Sequence, residues 1–487
     1  MMNPSLHNAR DLLFFKETIH FIGIGGIGMS GIAEILHSLG QHIQGSDIKE
    51  SLNTQRLTNR GIPVFIGHDP HHITNATVVV VSTDIKSDNP ELLAARARKI
   101  PVVHRAEMLA ELMRLKFAIA IGGTHGKTTT TSLVACLLDA AGINPTVVNG
   151  GIINAYGTNA RCGKGEWIVV ESDESDGSFV KLPATITVVT NIDPEHMNHY
   201  GSLEQLHKAF YQFVRNIPFY GLGILCIDHP MVRELASKIQ DRHIITYGFA
   251  ADADIRAENI RQTEDGQIFD VIFSQHTTAP GHDIKATSVI KDVFLPMFGR
   301  HNVQNSLAAI AAAHHLGIDP ATIRQGFNLF QGVKRRFTKI GVVNDITIID
   351  DYGHHPVEIR AVLQTARAVA KGRVIAVIQP HRYTRVHDLF EDFARCAEAA
   401  DHIILTPIYS AGEPEIEGIS HHTLSTAMHT RINIPTQAID DPMQLPKILA
   451  EISQPGDYIV FLGAGSITEW ANNLPQQLEA LCCKEVS

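Results

Sequence analysis

The 487-residue sequence has no C-x-x-C pair, no long apolar run and no excess of basic residues. Its six cysteines, at 136, 162, 226, 396, 482 and 483, are scattered. That excludes a disulfide framework and a cysteine-based zinc module, and it fits a reducing cytoplasm. A net charge of -10 and a pI near 6.2 exclude the basic face that nucleic-acid binding needs. Small anions stay possible, because backbone amides and single lysines can hold phosphate on an acidic protein. The opening MMNPSLHNARDLLFFKE has acidic residues and only a short apolar stretch, so it reads as neither a signal peptide nor a membrane span. No membrane insertion is expected, and the expected location is cytoplasmic. Histidine is plentiful, with 27 copies and adjacent pairs at 71–72, 314–315, 354–355 and 421–422. Without H-E-x-x-H or a Cys/His cluster these read as surface or packing residues. The length implies about three domains.

The most informative stretch is AIAIGGTHGKTTTTS at 118–132. An apolar strand that ends in glycines and opens a helix leaves backbone N–H groups uncovered, and with the helix dipole these suit phosphate. Lys127 would reach the outer phosphates, and Thr128 would offer its hydroxyl to Mg²⁺. The usual pattern has a first glycine where this chain has Ile121, so the match is to a shortened form, G-T-H-G-K-T. The competing reading is a glycine-rich turn of no chemical consequence.

A second signature lies upstream in TIHFIGIGGIGMSGIAEILHSLG followed by HIQGSD. An apolar strand leads into Gly23-x-Gly25-x-x-Gly28, a helix runs to about Leu39, and a second strand ends at Ser46-Asp47, which is the dinucleotide fingerprint in its expected context. This segment should form a parallel α/β sheet ending near Leu115. The second segment continues through EWIVVESDESDGSF and TITVVTNIDPEHMNHYGS. Open parallel sheets bind beyond the carboxyl ends of their strands, so Glu171, Asp173, Asn191 and His196 should share an edge with Lys127. Glu171 is placed to hold Mg²⁺; a solvated acidic loop is the alternative. Between about 250 and 296 short alternating strands suggest a small added sheet, with Asp265-Gly266 as a hairpin turn. A helix whose alanines allow close packing should follow GRHNVQN, with Asn302 and Asn305 on its first turns. After VKRRF, strands and amphipathic helices alternate again, which predicts another doubly wound unit.

Taken in order, GTHGKTTT (123–130), ESDESD (171–176), NIDPEHM (191–197), GRHNVQN (299–305), GVKRRF (332–337), DDYGHHP (350–356) and QPHRYTR (379–385) resemble the Mur ligase family over nearly the whole chain. The resemblance implies an α/β fold in three domains. These are a Rossmann-like UDP-sugar-binding domain (1–115), a central P-loop ATPase-like domain carrying a small added β-sheet (116–333), and a Rossmann-like amino-acid-binding domain (334–487). It also implies a monomeric or homodimeric enzyme that activates a carboxylate with ATP and Mg²⁺ and joins it to an amino acid. The opening glycines, DDYGHHP and PHRYTR most resemble the members that join L-alanine to UDP-N-acetylmuramate. A relative that attaches a preformed tripeptide to the same sugar nucleotide would show ESDEYD, and Phe-Ala in place of Tyr352-Gly353; this chain has neither.

On that resemblance Gly23, Gly25, Gly26, Gly28, Met29, Ser46, Asp47, Ser82, His104 and Arg105 would hold the UDP-sugar. Gly123, Thr124, His125, Gly126, Lys127, Thr128 and Thr129, with Asn302 and Asn305, would hold ATP, and Thr128, Glu171 and His196 would surround Mg²⁺. Arg336 and Asp351 match charged positions at the start of the third domain, expected to reach the nucleotide. Tyr352, His354, Arg382 and Arg385 would face the acyl group and alanine, with His354 a candidate general base. Two other classes stay open on the residues alone. A dehydrogenase would account for the glycine fingerprint and Asp47 but not for Lys127, and a nucleotide-switched binding protein would use ATP without ligation.

Overall fold

The computed structural model describes residues 17–274 and 289–485. The opening segment discussed above lies outside the described residues, apart from Glu17. By contact density the chain forms two compact units. One runs through Pro296 and regains Asn302–Gln331; the other is Met297–His301 with everything from Gly332 onward.

The first unit carries two sheets. Strands β1 (Thr18–Ile22), β2 (His42–Asp47), β3 (Val64–Ile66), β4 (Val78–Val81) and β5 (Val102–His104) form a parallel sheet in the order β3-β2-β1-β4-β5. This is half of a doubly wound fold, and its crevice opens where the order reverses, at the carboxyl end of β1. The near-continuous burial of β1 reflects helices on both faces. The glycine turn after it feeds the helix Ile27–Ser38 directly.

The second sheet contains β6 (Phe117–Gly122), β7 (Thr146–Ile153), β8 (Thr158–Arg161), β9 (Trp167–Glu171), β10 (Ile186–Val189), β11 (Leu222–Cys226) and β12 (Ile244–Gly248). It continues into β13 (Ile255–Gln262), β14 (Gln267–Phe273) and β15 (Val289–Leu295). The order is β15-β14-β13-β12-β11-β10-β6-β9-β7-β8. The strands expected as an added sheet are an antiparallel extension of the central one. They are joined to it through two parallel positions, Tyr247 with Ile255 and Gly248 with Arg256. The Asp265-Gly266 hairpin is present, closed by the Thr263 N–H donating to the Gly266 carbonyl at 2.9 Å. The helix Arg300–His315 buries Ala308, Ala309, Ala311, Ala312 and Ala313, the close packing its alanines predict.

The second unit holds β16 (Thr338–Val343), β17 (Ile346–Asp351), β18 (Val374–Ile378), β19 (His402–Leu405), β20 (Thr436–Ala438) and β21 (Tyr458–Leu462), in the order β16-β17-β21-β18-β19-β20. All neighbours are parallel except β16 with β17. Among the described residues no helix is long and apolar enough to cross a membrane.

Candidate active site

The loop after β6 bends through two left-handed glycines, Gly123 at φ 133° and Gly126 at φ 82°, and Gly126 caps the helix Lys127–Ala140. A side chain at Gly126 would come within 2.6 Å of Asn305 Oδ1, so Asn305 lies against the loop; Asn302, also buried, is 3.4 Å from the Asn305 amide. Thr124 and His125 are tied to the loop after β10. The Asp193 N–H donates to Thr124 Oγ1 at 2.9 Å, and the His125 N–H donates to Asn191 Oδ1 at 2.7 Å. Thr129 is buried in the first helical turn.

Lys127 donates to the Gly123 and Thr124 carbonyls, at 2.5 and 3.0 Å, and pairs with Glu174 Oε1 at 2.8 Å. Burial works against both charges. It lifts the Glu174 carboxyl to about 7 although Lys127 pulls the other way. At Lys127 burial is outweighed by Glu174 and Glu171, and the ammonium is held above its ordinary value. The ammonium is the firm charge of the pair, and the carboxylate is the member whose proton is exchangeable near neutrality.

The residues expected around Mg²⁺ fall into two adjoining groups. Thr128 Oγ1 donates to Glu171 Oε1 at 3.2 Å, and Glu171 Oε2 also accepts the Gly150 N–H at 2.7 Å. His196, in left-handed conformation at φ 58°, has Nε2 3.8 Å from Glu174 Oε1 and 3.9 Å from Glu195 Oε2. Glu174, Glu195 and His196 each bring one ligand atom within 4.8 Å of the others, and Glu174 Oε2 is buried with no hydrogen-bond partner among the described residues. Carboxylate, hydroxyl and one imidazole fit a hard divalent ion. Sequence reasoning missed Glu174 and Glu195, although both stand in the quoted motifs, three residues after Glu171 and one before His196.

At the other signature the Gly25 N–H donates to Asp47 Oδ2 at 2.9 Å, which fastens the turn to the end of β2. A side chain at Gly28 would meet Arg105 Nη1 at 2.9 Å, and Arg105 in turn donates to Asp173 Oδ2 at 2.8 Å. Gly23, Gly26, Met29, Asp47 and Ser82 line one cavity of about 1110 Å³ that also reaches Lys127, Glu171 and Asp173. Two expected residues are turned elsewhere. Ser46 is fully buried, with its hydroxyl donating to Glu91 on the face of β2 opposite to that of Asp47. His104 caps the helix Arg105–Arg114, and its Nε2 lies 3.8 Å from Asp176.

In the second unit Asp351 is buried and accepts the Phe337 and Gly353 N–H groups, both at 2.7 Å. Burial pushes its carboxyl up to about 6, with Arg336 opposing. It secures the turn that presents Tyr352, over whose ring Arg335 and Arg336 lie at 4.9 and 5.3 Å. The rings of His354 and His381 meet edge-on at 5.4 Å, and His381 stacks on Tyr409 at 5.6 Å. Arg385 Nη1 is 3.0 Å from His381 Nδ1, and burial with the neighbouring His354 and arginines drives the His381 pKa down to about 3. Arg382, half exposed, sits at φ 68° with Nη1 3.7 Å from Glu413. Of the residues expected at the acyl and alanine end, Tyr352, His354 and Arg385 gather around His381, and the side chain of Arg382 lies beside Glu413. Sequence reasoning singled out neither His381, which stands inside QPHRYTR, nor Tyr409, which nothing in TPIYS marks out.

A parallel sheet with a glycine turn, next to a second sheet with a lysine-bearing phosphate loop and acidic strand ends, defines a nucleotide-dependent enzyme. Residues 18–117 match the catalytic domain of the Mur ligase family, 121–313 the Mur ligase middle domain, and 335–465 the glutamate ligase domain of Mur ligases. The chain belongs to the Mur ligase family. It is 58% identical over 460 residues to the UDP-N-acetylmuramate--L-alanine ligase of Brucella anthropi, covering 94% of this chain and 97% of that one. The enzyme of the same name from Allorhizobium ampelinum is 57% identical over 466 residues, with 96% and 98% covered. Among solved structures, the UDP-N-acetylmuramate-alanine ligase of Thermotoga maritima superposes with a TM-score of 0.79 at 29% identity, covering 96% of this chain and 100% of that one. The murein peptide ligase of Psychrobacter arcticus gives 0.69 at 25% identity, with 95% and 98% covered.

Proposed function

We propose that this chain joins L-alanine to the lactyl carboxylate of UDP-N-acetylmuramate, with cleavage of ATP to ADP and phosphate, as a step of peptidoglycan synthesis. The observation that carries the reading is the single cavity that reaches from the Gly23–Gly28 turn to Lys127 and Glu171. A sugar nucleotide with its diphosphate on the glycine turn would extend its lactyl group toward the phosphate loop.

A carboxylate resists attack because the incoming nucleophile adds charge to an anion, so it must first gain a leaving group. Phosphoryl transfer from ATP gives an acyl phosphate, and the protein's share of that step is alignment and charge neutralisation. Lys127 supplies a fixed ammonium to the transferring phosphoryl group, and the uncovered N–H groups at the start of its helix cradle the phosphates. Mg²⁺, when bound, neutralises phosphate charge, and Thr128, Glu171 and His196, joined by Glu174 and Glu195, are the groups that would hold it. Asn302 and Asn305 flank the loop where the nucleoside would lie. Arg382 and Arg385 would stabilise the tetrahedral intermediate formed when the alanine amine attacks, and His354 is the candidate to accept the amine proton. We assign the three domains to 1–115, 116–333 and 334–487 on the same reading, acting as a monomer or homodimer in the cytoplasm. The test is phosphate release from ATP with UDP-N-acetylmuramate and a panel of amino acids. Release that requires both the sugar nucleotide and L-alanine is expected; release independent of either would overturn the assignment.

A further inference from the structure

One buried charge beside the cavity is not used by the chemistry above. Glu91, in the first turn of the helix Pro90–Ala97, is fully buried. Both its oxygens are engaged. Oε2 accepts the Ser46 hydroxyl at 2.5 Å and faces His20 Nε2 and His68 Nδ1 at 3.3 Å each. Oε1 faces His72 Nδ1 at 2.7 Å and the Asp69 N–H at 3.3 Å. An isolated carboxylate here would be protonated; burial does raise its pKa, but His20, Ser46 and His72 more than offset it and bring it down to about 2.

The geometry fixes where the protons lie. Gln44 Nε2 donates to the His72 carbonyl at 2.7 Å, which orients the amide, and it presents an N–H to His20 Nδ1 at 3.2 Å. His20 therefore carries its proton on Nε2, toward Glu91. Ser46 gives its only proton to Glu91, so its lone pair meets His68 Nδ1 at 3.0 Å and that nitrogen is the donor. In neutral imidazole the other nitrogen is then an acceptor. His68 lines the cavity, and no described residue hydrogen-bonds its Nε2.

The strand order says what could meet that lone pair. The glycine turn follows β1, Asp47 ends β2, and His68 lies two residues past β3, so the three stand in sequence outward across the sheet edge. A nucleoside diphosphate with its phosphates on the turn and its ribose by Asp47 carries its base toward His68. We propose that Glu91, directly and through Ser46, is a positioning residue that holds His68 with its proton on Nδ1, so that Nε2 accepts the ring N–H of a uracil-type base. Cytosine offers a lone pair at that ring position and would face a second lone pair. The inference rests on the reading of this cavity as the sugar-nucleotide pocket.

The test uses the full chain with UDP and CDP as probes in calorimetry, together with steady-state kinetics. The wild type should bind UDP about tenfold or more tighter than CDP. Glu91→Gln and His68→Ala should each remove most of that preference and raise KM for the sugar nucleotide about tenfold, with kcat and the KM for ATP held within about twofold. In the double variant the two losses should not add, because one residue works through the other. A preference for UDP that survives both substitutions would overturn the proposal, as would a further tenfold loss from Glu91→Gln in the His68→Ala background. If Glu91→Gln fails to fold, the base preference of His68→Ala decides. UDP bound without discrimination from CDP by the wild type defeats this proposal alone, whereas failure to bind UDP at all defeats the sugar-nucleotide reading beneath it.

Discussion

On the proposed reading Lys127 is held in place before its ligand arrives. Three acceptors take up the three N–H donors of the ammonium, two of them carbonyls of its own loop, so a phosphate would exchange for one of them. Lys127→Ala should lower ligation by a factor corresponding to ~3 kcal/mol or more and leave UDP-N-acetylmuramate binding intact by calorimetry. Loss of sugar-nucleotide affinity in that variant would contradict the division of labour proposed for the two glycine turns. Its partner gives a pH signature. Glu174 has a folded pKa of about 7, above its ordinary 4.5. Its contribution to stability is therefore full below pH 4.5 and lost as the pH rises through 7. Glu174→Gln cannot lose what it does not titrate, so between pH 4.5 and 8 the stability difference should move in the variant's favour by up to about 3 kcal/mol. Parallel denaturation curves at both pH values would show that the carboxyl is ionised throughout.

Both turns use left-handed glycines, Gly23 at φ 78° after β1 and Gly123 and Gly126 after β6, whereas at Gly25 the constraint is space. A side chain there would come 2.8 Å from both Asp47 Oδ2 and Thr54 Cγ2. Gly25→Ala should break the Gly25 N–H to Asp47 contact and weaken UDP binding by about 1–3 kcal/mol, with ATP affinity unchanged; equal losses for both nucleotides would point to general unfolding. The corresponding crowding at Gly28 involves the far end of Arg105, which is flexible, so that position is more tolerant. Both turns were legible in the sequence because each is a local pattern: glycines at fixed spacing between an apolar strand and a helix. The Glu91 network was not, because its five side chains come from β1, β2, the segment after β3 and the helix Pro90–Ala97. No spacing along the chain records that meeting. The burial of Ser46 was illegible for a related reason: alternation puts it on the opposite face of β2 from Asp47, and what covers it there is Glu91, from a helix far along the chain.

At the scale of the molecule, the reading assigns nucleotide work to one compact unit and amino-acid work to the other. Arg382→Ala should depress peptide-bond formation strongly while calorimetry finds UDP-N-acetylmuramate and ATP bound as in the wild type; unchanged turnover and alanine KM would remove this segment from the reaction. Three sheets were legible from alternating strands and helices. The joining of β13–β15 onto the central sheet was not, since two paired positions carry it and their sequence is unremarkable. His381 and Tyr409 escaped notice because stacking between the ends of β18 and β19 is set by strand order, not by a motif.

The central claim is that the lactyl carboxylate is activated by phosphorylation and then captured by alanine. It is tested most directly by turnover of UDP-N-acetylmuramate labelled with ¹⁸O in that carboxylate, in the presence of ATP and L-alanine, with the products read by mass spectrometry. The account predicts that one labelled oxygen leaves in the inorganic phosphate and the other stays in the new amide carbonyl. Unlabelled phosphate formed alongside the ligated product would contradict it.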